Sequence, residues 1–180
     1  AADRVYNASL LLDAQGKTVA RYNKIHLFDV VVPGREGENY RESAFVEPGS
    51  RAVVADTPVG RLGMSVCYDM RFPELYRDLL EQGATWLAMP AAFTVPTGQA
   101  HWESLLRARA IENLCYVVAP AQGGLHPNGR RTHGHTMIVD PWGEVLAERD
   151  EGEGVVFADL DGTRLAEVRK SLPALQHRRL

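Results

Sequence analysis

Three short apolar runs, RLGMSV (61–66), TWLAMP (85–90) and CYVVAP (115–120), alternate with two helical patterns, and no other feature restricts the architecture so tightly. In PELYRDLLEQG (73–83), Leu75, Leu79 and Leu80 share a face, Pro73 suits the opening turn and Gly83 the C-terminal stop. In the segment 98–114, Trp102, Leu105, Leu106, Ala110 and Leu114 recur at three- and four-residue spacing. Strand, helix, strand, helix, strand in that order needs crossover connections, which are right-handed and set neighbouring strands parallel. The residues alone therefore predict an α/β fold around a mixed sheet.

The flanks are simpler. VYNASLLLD and TVARYNK, joined by AQGK, read as two strands around a Gly-containing turn, with Lys24 closing the second. Residues 29–50 are rich in Gly, Pro and charge, and are expected to form a long loop of the kind that covers a site. AAFTVPTG (91–98) reads as a further loop. Residues 134–161 read as a meander turning at Pro141-Trp142-Gly143, followed by a polar tail, LPALQHRRL. With 180 residues and 45% hydrophobic content, the chain can bury about 70% of its unfolded surface, and no linker divides it, so one domain over 1–180 is expected.

Composition narrows the function classes. The net charge of −3 and pI near 6.1, with basic and acidic residues interspersed, provide no stripe for phosphates, so no nucleic-acid partner is expected. No apolar run approaches the roughly 20 residues that cross a bilayer, and AADRVYN lacks the pattern of a signal peptide, which predicts a cytoplasmic protein without membrane contact. Cys67 and Cys115 sit beside strand-like runs without a disulfide framework and are expected to be free thiols. No P-loop or dinucleotide fingerprint occurs, and no cofactor is expected.

The stretch SVCYDMRFPELYR places Cys67 where a strand gives way to a helical pattern. A free thiol has a pKa near 8.5, and a helix N-terminus or a nearby ammonium lowers it and activates the sulfur. Lys24 is a candidate for that ammonium, and Glu42 in YRES adds a carboxylate. Taken singly, each has a plainer reading: a Cys ending a strand fills core, and a Lys is solvated surface. Arg71, four residues after Cys67, either grips a substrate carboxylate or pairs with Glu74 or Asp69. His133 and His135 fall two apart on a predicted strand, so they face one side; without a third ligand at suitable spacing no metal is expected.

The longer words carry more. YNKIHLFDV, CYDMRFPELYR, MPAAFTVPTGQAHWESLLRARAIENLCYVVAPAQGG and GHTMIVDPWGEVLA, in that order, resemble the nitrilase superfamily of carbon-nitrogen hydrolases, in particular its Nit1-like, or deaminated glutathione amidase, branch. The resemblance implies an α-β-β-α sandwich, of which this chain looks like the later two-thirds. It implies Cys67 as nucleophile and Lys24 as the cation at the oxyanion, helped by the Tyr68 N–H. Glu42 becomes a second acidic residue positioning Lys24 or the substrate, Arg71 a carboxylate anchor, and Phe93 and Thr94 pocket residues. Glu103 either lines the pocket or caps a solvated face, and the family pattern favours the pocket. The family's general base is a glutamate on a strand upstream of the lysine motif. Before Lys24 the chain offers only Asp3 and Asp13, neither in that context, so the chain by itself is expected to be inactive.

The implied function is a thiol amidase hydrolysing the amide of a small dicarboxylic acid monoamide, such as deaminated glutathione, with release of ammonia. A homodimer is the implied assembly. An N-carbamoyl amidase or nitrilase of the same superfamily, and a non-catalytic binding or assembly module, stand as alternatives.

Overall fold

The computed structural model describes residues 4–32 and 39–179. β1 (Ala8–Leu12) and β2 (Thr18–Asn23) pair antiparallel as expected, and the Asp13 carboxylate closes their turn by accepting the N–H groups of Gln15 and Lys17, both at 2.9 Å. The predicted 29–50 loop is corrected at its described ends. β3 (Asp29–Val31) and β4 (Asn39–Arg41) form a short antiparallel ladder, followed by a 3-10 turn at Glu42–Ala44. Burial of Val32 and Val46 anchors these ends. The middle of that loop, residues 33–38, lies outside the described residues, as do Asp3 and Leu180.

The main sheet begins with β5 (Val53–Thr57) and β6 (Gly60–Met64), an antiparallel pair, and continues through β7 (Trp86–Ala88) and β8 (Tyr116–Ala119). Away from it lies a hairpin of β9 (Gly123–Leu125) and β10 (Arg131–His133); β11 (Thr136–Val139) and β12 (Val145–Arg149) then return to it. Its order is β12-β11-β8-β7-β6-β5, with β6, β7 and β8 parallel and the others antiparallel. The parallel centre follows from its crossovers, α1 (Pro73–Glu81) between β6 and β7, and α2 (Val95–Asn113) between β7 and β8.

Both helices bury the faces their periodicity marks. Leu75, Tyr76 and Leu79 from α1 and Trp102, Leu106 and Ala110 from α2 join Leu62, Met64, Leu87 and Val117 in one core. Each large side chain so buried contributes about 1.5–3 kcal/mol. α2 begins at Val95, so the second half of the predicted 91–98 loop is helical: Thr94 stays extended at ψ 149°, and Pro96 lies in the opening turn, where its missing N–H costs nothing.

The C-terminal quarter departs further from expectation. Arg149 donates to the carbonyls of Gly152 and Glu153, and residues 153–160 pair with no strand among the described residues, leaving Val155 and Phe157 72% and 83% exposed. The expected GEGVVFADLD strand therefore does not form. α3 (Gly162–Ser171), capped by Asp161 on the Thr163 N–H at 2.7 Å, and α4 (Ala174–His177) occupy the stretch around the expected polar tail. No helix among the described residues is long and apolar enough to cross a membrane.

Candidate functional site

The parallel strands end together, and the segments that leave them form the wall of a cleft of about 810 Å³. Val66 and Cys67 follow β6, Pro90 to Thr94 follow β7, and Pro120 to Gln122 follow β8. Ladder-like bonds continue past the strands: Ser65 N–H to Ala88 O at 3.1 Å, Cys67 N–H to Pro90 O at 2.9 Å, and Ala91 N–H to Pro120 O at 2.9 Å. A cleft beyond the carboxyl ends of parallel strands is the usual ligand position of such sheets.

Cys67 occupies the sharpest point of that wall. Its φ is 51°, a left-handed conformation uncommon outside glycine, and it opens a 3-10 helix, Cys67–Arg71, rather than α1, which starts six residues later. The expectation that a helix N-terminus activates the thiol is therefore corrected. Burial pushes the Cys67 thiol above its ordinary range, while the Ala92 backbone N–H and the Lys24 charge pull against it.

Lys24 follows β2 and lines the same cleft, with only 3% of its side chain exposed. Its Nζ lies 2.5 Å from Glu42 Oε2, which also accepts the Phe28 N–H at 2.6 Å, while Glu42 Oε1 accepts Asn7 Nδ2 at 3.1 Å. Burial alone would raise the Glu42 carboxyl; the hydrogen bonds from Lys24, Phe28 and Asn7 and the Lys24 charge outweigh it and hold the group below the usual range. Glu42 is thus an ionised carboxylate with three donors on it.

Asp69, fully buried two residues after Cys67, ties these parts together. Its Oδ2 accepts Tyr22 OH at 2.7 Å and the Val66 N–H at 2.9 Å; its Oδ1 accepts the His26 N–H at 3.0 Å and lies 2.8 Å from His26 Nδ1. One carboxylate thereby clamps the lysine segment to the cysteine turn. With Asp69 so engaged, Arg71 forms no pair with it or with Glu74 among the described residues. The Arg71 guanidinium instead lies over the rings of Tyr68 and Phe93, at 5.8 and 5.4 Å, with Nη2 3.3 Å from His101 Nδ1.

The cleft brings together Lys24, Glu42, Cys67, Tyr68, Arg71, Phe93 and Thr94. It does not include Glu103, which correction has a local cause: Glu103 pairs along α2 with Arg107 at 3.3 Å, its side chain 58% exposed, beside a separate 340 Å³ hollow. His133 and His135 also lie at that hollow, their rings stacked at 4.2 Å, although only His133 is on a strand and His135 follows it with φ 61°. His135, Glu148 and Asp150 have ligand atoms within 4.8 Å of one another, a partly exposed group whose spacing would admit a metal ion. Asn7, Asp69 and Arg130 carry no local signal; the side chain of Asn7 meets Glu42, that of Asp69 meets Tyr22 and His26, and that of Arg130 meets Tyr40 and Ala92, all far away in sequence.

Comparison with known proteins shows the family and the fold. The carbon-nitrogen hydrolase family model matches residues 1–170. A deaminated glutathione amidase from Synechocystis sp. is 52% identical over 179 residues, covering 98% of this chain and 65% of that protein. Among solved structures, the Caenorhabditis elegans NitFhit protein superposes with a TM-score of 0.91 at 48% identity, covering 98% of this chain and 42% of that one. Saccharomyces cerevisiae Nit3, a member of branch 10 of the nitrilase superfamily, gives 0.86 at 34% identity, covering 98% and 61%. The chain spans less than two-thirds of the length of these relatives.

Proposed function

The chain belongs to the carbon-nitrogen hydrolase family, and from that premise we propose that it carries the nucleophile and oxyanion half of a thiol amidase. One observation supports this above the rest: Cys67, on a left-handed turn, and Lys24, fixed by Glu42, line the same cleft. In this reading the Cys67 sulfur bonds to the amide carbon, the Lys24 ammonium and the Tyr68 N–H take the developing oxyanion, and the C–N bond breaks as the nitrogen leaves with the thiol's proton, as ammonia from a primary amide or as the amine from a substituted one. Water then adds to the thioester, the S–C bond breaks, and acid and thiol are released. Glu42 has its oxygens committed to three donors, so its part is to position Lys24. Proton transfer is assigned by family resemblance to a glutamate before the lysine motif; residues 1–23 contain none, and the test is made on the full-length protein.

The substrate we propose is a small dicarboxylic acid monoamide of the deaminated glutathione type, with Arg71 holding its carboxylate and Phe93 and Thr94 shaping the pocket. Free thiols at Cys67 and Cys115 suit a cytoplasmic setting, and the exposed apolar side chains of Val155 and Phe157 suit association as a homodimer, which sedimentation would read as twice the monomer mass. Ammonia release by the full-length protein is expected to be faster from monoamides than from carbamoyl amino acids or nitriles. Lys24→Ala should lower kcat/KM by about 100-fold or more without loss of fold. Wild-type turnover by the Lys24→Ala protein would overturn the reading.

A further inference from the structure

His133 and His135 lie two apart in the sequence with no third metal ligand at suitable spacing, and the fold supplies two from a neighbouring strand. His135 immediately precedes β11, Glu148 lies on β12 and Asp150 follows it. Thr136 pairs with Arg149 in that antiparallel ladder, and the His135 N–H donates to Asp150 O at 2.7 Å, so the three residues meet at one end of the pair. His135 Nδ1 lies 2.7 Å from Glu148 Oε1 and 3.7 Å from Asp150 Oδ1. The imidazole is also held from behind: the buried Trp102 donates its Nε1 proton to His135 O at 2.7 Å, and the His133 ring stacks on the His135 ring.

The charge around this group is unbalanced. Two carboxylates converge on one imidazole, and no lysine or arginine pairs with either of them among the described residues. The basic neighbours are engaged elsewhere, Arg131 on Glu151 at 3.0 Å and Arg149 on the carbonyls of Gly152 and Glu153. Even with His135 protonated, the group keeps one excess negative charge, and carboxylates this close repel each other. A divalent cation between them reverses the sign of that interaction. The adjoining hollow of about 340 Å³, lined by His135 and Glu148, leaves room for water on such an ion.

The donor set selects the kind of ion. One imidazole nitrogen with two carboxylate oxygens suits a divalent transition ion of the zinc type, whereas Ca2+ takes about six to eight oxygens. A tetrahedral zinc at roughly 2.0–2.2 Å from each ligand sets the ligand atoms about 3.4 Å apart, a spacing that the 2.7 and 3.7 Å separations bracket. We propose that His135, Glu148 and Asp150 form a binding site for a zinc-type divalent ion, which displaces the proton shared by His135 Nδ1 and Glu148 and ties the ends of β11 and β12 together. The site lies outside the Cys67 cleft, and its occupation is independent of the amidase chemistry.

The test uses the full-length protein without a polyhistidine tag, carrying Cys67→Ala so that the cleft thiol cannot take the ion, and stripped of metal with a chelator. Zinc is titrated by calorimetry, and thermal melts are recorded with and without it. The expected result is saturable binding of one zinc with a micromolar dissociation constant, and a Tm higher by about 5 °C when zinc exceeds that constant by about 100-fold. Glu148→Gln and Asp150→Asn, which leave the ladder in place, should each weaken binding by about tenfold or more. His135→Asn, which tolerates the left-handed backbone, should abolish it, and Glu103→Gln on the far side of the hollow should leave it unchanged. Millimolar Mg2+ should not compete. Absence of saturable zinc binding, binding that survives the three ligand substitutions, an equal loss in Glu103→Gln, or displacement by Mg2+ would overturn the site. Binding without a rise in Tm would overturn the tie between the strands.

Discussion

Glu42 accepts three donors with two oxygens, and this saturation determines what it can contribute. A carboxylate held ionised by Lys24, Phe28 and Asn7 is a poor proton acceptor, but it fixes the position of the buried Lys24 side chain. The sign of its effect on stability follows. The folded pKa lies below the ordinary value near 4.3, so the stabilisation is fully present above that value and is lost as pH falls through the lowered folded value. Thermal melts of wild-type and Glu42→Gln proteins should therefore differ most near neutrality and converge as pH drops below about 4. A difference that persists unchanged into acid would contradict the pairing. At this scale Cys67, Lys24 and Arg71 were legible in the sequence, because their motif words travel with them. Asp69 was not: its partners Tyr22 and His26 lie 47 and 43 residues away, and nothing local announces a buried carboxylate. Replacing Asp69 by Ala leaves the Tyr22 hydroxyl and the Val66 and His26 N–H groups unpaired, a loss of about 3–5 kcal/mol, or roughly 10 °C in Tm. A melt within a degree or two of wild type would show that this clamp does not hold the turn.

The elements that sequence predicts well here are those whose own face is their evidence. β6, α1, β7, α2 and β8 each bury the side chains that repeat at the right period. α3 escapes that test because Val168 is its one buried residue, and the β9–β10 hairpin escapes it because Gly123, Gly124 and the polar run to Arg131 carry no alternation. Contact between elements is equally invisible from sequence. Gly98 in the first turns of α2 shows this, since a Cβ built there would come within 2.2–2.4 Å of the His133 ring and its Cβ on β10. The helix approaches β10 so closely only because residue 98 lacks a side chain. Gly98→Ala, normally favourable within a helix, is expected to destabilise by about 1–3 kcal/mol, a fall of roughly 2–12 °C in Tm. A gain in Tm would mean that β10 yields easily and that the site's upper wall is soft.

Across the whole molecule, a parallel centre flanked by antiparallel strands gathers three chain exits at one edge, and the hairpins β1–β2 and β3–β4 bring Lys24 and Glu42 to that edge from far upstream. The order of motifs along the chain implied this meeting through family resemblance; spacing alone did not, because residues 24, 42 and 67 are joined by segments of irregular length. The meeting of thiol and ammonium is the claim on which the rest depends, and mass spectrometry of the full-length protein quenched in acid during turnover of a monoamide tests it most directly. The account predicts an acyl group on the peptide containing Cys67 and none on Cys115, with the adduct strongly depleted in Lys24→Ala. An adduct on another residue, or turnover of the amide while Cys67 never carries one, would contradict it.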